Sequence, residues 1–170
     1  MIKLQRGIRN LIVITVLFSN IGCDQISKSV ARENIDYGQR IAVISNYLTL
    51  TKVENSGAFL GLGDNLPNIL KISLLTIIPS IIMMGMMVFV LRKRKMDLNY
   101  ALPIAFIIGG GIGNLYDRIL YGSVTDFMHM NFQIFQTGIF NMADVSIMVG
   151  IFWILLTQLN SKRNKQIVTF

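Results

Sequence analysis

The stretch "LNYALPIAFIIGGGIGNLY", residues 98–116, is nineteen positions long and carries no charge. Wound as a helix at about 1.5 Å per residue, it crosses a hydrocarbon core of about 30 Å. It then runs straight into Asp117 and Arg118, so the helix it predicts meets polar residues at one bilayer boundary. Two further runs match it. Residues 72–91 hold no charge, and residues 139–159 hold only Asp144. A fourth run, 10–23, is shorter, and its length suits a signal-peptide core as well as a short span. Hydrophobic residues make up 52% of the 170-residue chain and charged ones 15%. That balance belongs to an integral membrane protein rather than a water-soluble domain.

The formal net charge of +7 suggests nucleic acid until its positions are read. The basic residues gather in three clusters: Lys3, Arg6 and Arg9; Arg92, Lys93, Arg94 and Lys95; and Lys162, Arg163 and Lys165. If the first run spans and is retained, four helices put all three clusters on one side. The positive-inside rule makes that side the cytoplasm. The expected architecture is an all-α integral membrane fold, one domain over 1–170, N-in and C-in. Its spans fall roughly at 8–30, 69–91, 98–119 and 139–159, and residues 31–66 and 120–138 lie outside the cell membrane. The charge is then an orientation signal, and no nucleic-acid partner is expected. One motif competes with a retained first helix. "FSNIGCDQISK", 18–28, resembles the start of a bacterial lipoprotein cut before Cys23, but Asn20 stands where such a signal usually has Leu.

The outer segment "IAVISNYLTLTKVENSGAFLGLG", 41–63, is rich in β-branched and aromatic residues and partly alternates in polarity. One or two strands are expected there, lying on the membrane surface. Gly57, Gly61 and Gly63 break the pattern and permit tight backbone. Pro67 suits the start of the second helix, and Pro79 and Pro103 fall inside spans, where a kink is tolerated. Gly109 and Gly113 form a small-xxx-small pair that favours close helix packing.

The acids are harder to place. A charge at mid-membrane costs about 2.5 kcal/mol or more, yet Asp24, Asp117 and Asp144 sit in or beside three spans, and Asp126 follows in "GSVTDF". All four fall toward the outer ends, at one depth. Asp24 and Lys28 are i,i+4; Asn114, Asp117 and Arg118 are i, i+3 and i+4; Asn141 and Asp144 are i,i+3. Such residues share a helix face. The bland expectation is a set of satisfied ion pairs, Asp24 with Lys28 and Asp117 with Lys28 or Arg118. Only Lys28 and Arg118 are expected near this layer, so four carboxylates face two cations and one carboxyl is expected to hold a proton. Two carboxyls brought together in this way split into an acid and a base, which is the chemistry of an aspartic protease. A GxSxG elbow is missing from the sequence, His129 reads as a lone surface or interfacial residue, and Cys23 reads as an inert apolar filler. One Cys and one His are too few for a zinc site or a disulfide, and neither metal nor cofactor is expected. A small transporter or proton channel is the alternative reading of intramembrane acids, and a non-catalytic scaffold using the glycine face is a third.

Four blocks carry a resemblance: "DQISK" (24–28), "ENSGAF" (54–59), "GGGIGNLYDRILYGSVTDF" (109–127) and "FNMAD" (140–144). In this order and spacing the chain resembles the lipoprotein signal peptidases, or signal peptidase II, from about residue 8 to 160. The resemblance implies a four-helix enzyme of the bacterial inner membrane with a small β-rich extracytoplasmic cradle. It implies cleavage of a diacylglyceryl-modified prolipoprotein just before the lipidated cysteine. It places the catalytic dyad on Asp126 and Asp144, with support from Asp24, Lys28, Asn55, Asn114, Asp117, Arg118 and Asn141. It makes the lipidated prolipoprotein and membrane lipids the expected partners and the first helix a retained anchor; the sequence itself gives no sign of an oligomer, and a monomer is expected. Two departures stand out. Ser27 replaces a common Thr, and "NSGAFLGLG" lacks a doubled Ala after its first Gly.

Overall fold

The structure, a computed structural model, describes residues 5–45, 47–58 and 62–167, with side chains to residue 160. Lys3 and Gly61 lie outside the described residues, as do the side chains of Lys162, Arg163 and Lys165. The elements in chain order are α1 (Arg6–Asn34), β1 (Ile41–Ile44), β2 (Leu48–Asn55), α2 (Asn68–Arg92), α3 (Leu98–Tyr121), β3 (Val124–Asn131), β4 (Gln136–Phe140) and α4 (Met142–Ile167). All four helices are long and apolar enough to cross a membrane. Their outward faces carry large apolar side chains, among them Phe18, Ile69, Ile81, Met84 and Leu159, each more than 60% exposed. Such a surface is stable only where lipid rather than water is the solvent.

α3 is the central helix, because three consecutive glycines turn three sides of it toward three neighbours. A methyl group at Gly109 would meet Asn20 of α1, at Gly110 the Ala143 carbonyl of α4, and at Gly111 the Met83 sulfur of α2. Successive helical residues point about 100° apart, so the run is a three-way junction and not only a two-helix motif. α3 begins where the Asp97 carboxylate accepts from Asn99 N at 2.9 Å, an N-cap. It ends at Gly122, whose φ of 76° gives the left-handed C-terminal turn.

α2 deals with Pro79 by rewinding. Proline offers no N–H to the preceding turn, and residues Ser73–Ile77 just before it form a π-helical turn. Ser80 Oγ donates to Thr76 O at 2.7 Å and Ser73 Oγ to Ile69 O at 2.8 Å. Hydroxyls of this kind satisfy carbonyls at an irregular helix turn within lipid.

The four strands make one antiparallel sheet in the order β1-β2-β3-β4. β1 and β2 lie in the segment expected to hold strands. No strand was placed at 124–140; β3 and β4 there complete the expected small β-rich part as the second half of a four-stranded sheet. The fourth helix accordingly starts at Met142 and not near 139, because Ile139 and Phe140 pair with His129 and Met128. α1 runs to Asn34, past the expected 30. The sheet docks on that extension through Ala31, Ile35 and Phe127, with Leu50, Met128 and Met142 packed around them.

At the opposite end Arg6 and Arg9 meet the α2–α3 turn. The buried Arg9 guanidinium donates to Val90 O at 3.0 Å and Lys93 O at 2.6 Å, capping the last carbonyls of α2. The basic residues Arg92–Lys95 therefore share one end of the bundle with the start of α1, and the sheet occupies the other.

Candidate active site

The acids at the sheet end come from four elements, α1, α3, β3 and α4. Lys28 is their hub. Its Nζ has three protons, and they meet Asp24 Oδ2 at 2.8 Å, Asp117 Oδ2 at 3.1 Å and Asn114 Oδ1 at 2.9 Å. A fully buried ammonium with all three donors matched is the arrangement that offsets its desolvation. The i,i+4 spacing on α1 supplies the first contact. Close approach of α3 supplies the other two, since a methyl at Gly113 would stand 2.5 Å from Asp24 Oδ2.

Lys28 also sets the orientation of the amides. With Asn114 Oδ1 facing the ammonium, Asn114 Nδ2 points at Asp144 Oδ1, 3.0 Å away. Asn141 Oδ1 accepts from Asp144 N at 3.0 Å, so Asn141 Nδ2 faces the other way and reaches Asp126 Oδ1 at 2.6 Å. Asn141 N donates to Asp144 Oδ2 at 3.1 Å. Asn55 Oδ1 accepts from Gly57 N, which leaves its Nδ2 to donate to Asp126 Oδ2 at 3.0 Å. Both Asp126 oxygens and both Asp144 oxygens thus accept hydrogen bonds, and Asn141 bonds to both residues.

Every residue singled out from the sequence lies in this layer: Asp24, Lys28, Asn55, Asn114, Asp117, Arg118, Asp126, Asn141 and Asp144. Some roles differ from expectation. Asp117 pairs with Lys28, one of its two expected partners, which leaves Arg118 to a different role. Arg118 Nη2 donates to Gly57 O at 3.0 Å, which holds the loop after β2 over the site. The cation count also changes. Arg32 Nη2 stands 2.9 Å from Asp117 Oδ2, its Nε donates to Thr125 Oγ1 at 2.8 Å, and its guanidinium lies over the Tyr121 ring. Gln25 Nε2 reaches Asp24, Asp117 and Gly113 O. Four carboxylates therefore face three cations, not two. Asp24 Oδ1 accepts from Ala143 N at 2.8 Å, and Asp117 Oδ2 from Thr125 N at 3.3 Å. These bonds fix the starts of α4 and β3 against α1 and α3, one residue before Asp144 and one before Asp126.

Asp126 lies on β3, outside the spans, and is 4% exposed. Burial pushes its carboxyl up to about 6 against the Asn55 hydrogen bond, with the Asp144 charge adding to the rise. Asp144 lies in the first turn of α4, where the helix dipole favours negative charge. From Asp144 an apolar groove of about 750 Å³ runs along α4 past Phe140, Met148, Phe152 and Trp153. His129 is a half-buried residue of β3, and Cys23 is exposed on α1, apart from the network.

This fold is that of an integral membrane enzyme. A solved bacterial membrane enzyme superposes with a TM-score of 0.80 at 29% identity, covering 90% of each chain. A second gives 0.75 at 28% identity, over 86% of this chain and 92% of that one. A family model described as "Signal peptidase (SPase) II" matches residues 16–160. The lipoprotein signal peptidase of Clostridium novyi (strain NT) is 31% identical over 81% of this chain and 90% of its own length. That of Staphylococcus haemolyticus (strain JCSC1435) is 29% identical over 84% and 87%. The chain belongs to the signal peptidase II family and is a multi-pass bacterial membrane protease of lipoprotein processing.

Proposed function

We propose that this chain removes the signal peptide from diacylglyceryl-modified prolipoproteins, cutting on the N-terminal side of the lipidated cysteine with Asp126 and Asp144 as a catalytic dyad. The observation that carries the reading is Asn141, whose side-chain and backbone N–H groups hold the two carboxylates from opposite sides. Asp144 is the ionised member. It takes a proton from a water molecule, and the water oxygen attacks the scissile carbonyl. Asp126 is the protonated member and donates to the carbonyl oxygen. On collapse, the proton taken by Asp144 passes to the leaving amine. The fixed amides of Asn55, Asn114 and Asn141 keep both carboxyls in place through this cycle, so little reorganisation accompanies the change in charge.

The apolar groove along α4 accommodates the hydrocarbon of the substrate, which arrives sideways from the bilayer. In this reading both termini are cytoplasmic, the basic clusters mark that face, and the sheet with the carboxylate layer lies on the extracytoplasmic side of the inner membrane. The enzyme acts as a monomer, with membrane lipids as its solvent. The test is cleavage of a lipidated precursor peptide by the Asp126→Asn and Asp144→Asn variants. Both are expected to fold and to leave the precursor intact, and turnover by both together would end the proposal.

A further inference from the structure

The sheet carries a second cavity that the proposed chemistry does not use. It has a volume of about 700 Å³ and is walled by Arg40, Thr49, Thr51, His129, Asn131 and Gln136. Thr49, His129 and Ile139 are register partners across β2, β3 and β4, and Asn131 faces Gln136. Register partners share a sheet face, so the cleft lies on one side of the sheet. The next row, Leu50, Met128 and Phe140, points to the other. The cleft shares Thr137, Gly138 and Ile139 with the apolar groove that ends at Asp144. One strand, β4, therefore carries an apolar channel and a polar one, and it leads through Asn141 into the carboxylate pair.

We propose that this polar cleft binds the polypeptide segment that follows the lipidated cysteine, on the leaving-amine side of the scissile bond. The inference rests on the peptidase reading and adds the site for the substrate's other half. The argument is one of phase. The acyl chains and the signal segment are hydrocarbon, and the groove beside Asp144 is lined by hydrocarbon. The chain after the cysteine is polar, and entering that groove would strand its peptide groups. The adjoining cleft offers four hydroxyls, two amides and an imidazole, which pair with backbone N–H and C=O groups without reading side chains. Arg40 is the formal positive charge on the cleft wall, and it favours acidic residues in the bound segment in a salt-dependent way.

The full-length enzyme in detergent–lipid micelles is assayed with two diacylglyceryl precursor peptides. They share a signal segment and end about two or about ten residues after the cysteine. The parent is expected to show a KM about five-fold or more lower for the long peptide. The Asn131→Ala/Gln136→Ala double variant is expected to raise that KM to the value of the short peptide. kcat, and all constants for the short peptide, stay unchanged. Arg40→Glu is expected to invert the preference between acidic and basic segments. Equal constants for the two peptides in the parent overturn the proposal, as does a variant that weakens both alike. So does a rate that follows anionic lipid content and ignores peptide length, since the cleft would then hold a headgroup. Failure of the parent to cleave either peptide overturns instead the peptidase reading beneath it.

Discussion

Replacing Asp126 by Asn separates the cost of the proposed acid from its use. Burial raises the Asp126 carboxyl from the ordinary 3.8 to about 6. The folded protein then binds that proton more tightly than the unfolded chain does. Ionising Asp126 therefore costs stability, and the cost accumulates as pH rises from about 4 through about 6. At about 1.36 kcal/mol per pH unit of displacement, the full cost is about 3 kcal/mol. Asn at this position cannot ionise. It also mismatches one hydrogen bond, because Asn55 and Asn141 both present Nδ2 donors, but that penalty does not vary with pH. The stability of Asp126→Asn minus that of the parent is thus expected to rise by up to about 3 kcal/mol between about pH 4 and about pH 6.5, then level off. Other carboxylates contribute slopes common to both proteins, and the subtraction cancels them. Chemical denaturation in mixed micelles at fixed salt gives the curve, and peptide cleavage run in parallel is expected to be absent at every pH. A flat difference, or one that falls with pH, would refute the reasoning, because Asp126 would then be held as an anion and could not serve as the acid.

Three further outcomes follow from the same contacts. Asn141→Ala removes the side-chain bond to Asp126 and the acceptor for Asp144 N, and it is expected to lower kcat by about 10²-fold or more with a smaller change in KM. Gly113→Ala drives a methyl into Asp24 Oδ2 and is expected to destabilise by about 1–3 kcal/mol, with activity lost as the Lys28 hub shifts; a variant as stable and active as the parent would contradict the packing. Arg9→Ala leaves Val90 O and Lys93 O without their charged donor and is expected to cost about 2 kcal/mol. The thermal midpoint should fall while KM holds, and Arg9→Lys should recover part of the loss.

The polar face of each helix was readable because 3.6-residue periodicity puts Asp24 with Lys28 and Asn114 with Asp117 whatever the tertiary structure. Arg32 escaped for a boundary reason. Ending α1 at residue 30 puts Arg32 in a loop, whereas one more helical turn along the same stripe, 24, 28 and 32, places it beside Asp117. In the second half of the sheet "MHMNFQI", 128–134, alternates apolar and polar as a strand does, but the pattern runs past the end of β3 at Asn131, and "QTGIF", 136–140, which pairs with it, has no such period. A register shift between His129 and Asn131 interrupts the pairing, and Thr137 Oγ1 stands in for backbone by bonding Met130 N. The glycine run was legible as close packing but not as a junction of three helices, since a single chain does not say which neighbours surround it. The amide orientations were illegible for the same reason: each is dictated by a partner on another element, starting at Lys28.

The alternative of a proton route turns on depth. Such a route requires polar groups throughout the bilayer. The buried stripe of α1 can be followed from the carboxylate layer toward the basic end. Below Asp24 comes Asn20, whose Oδ1 lies 2.7 Å from Ser146 Oγ, and that pair is tied to the helix carbonyls of Phe106 and Val16. Below it, Leu17 and Val13 on α1 and Ile108, Ala105 and Ala101 on α3 are at most 3% exposed. Val13, Ala101 and Ala105 close against Val90. Arg9 lies beyond, with its donors committed to carbonyls. Among the described side chains the buried polar groups of this stripe therefore stop about halfway, and two turns of sealed hydrocarbon separate them from the basic end. A conductor would be blocked there. A hydrolase needs water from one side only, and the same seal keeps its charged layer confined to the face where a polar chain leaves the membrane.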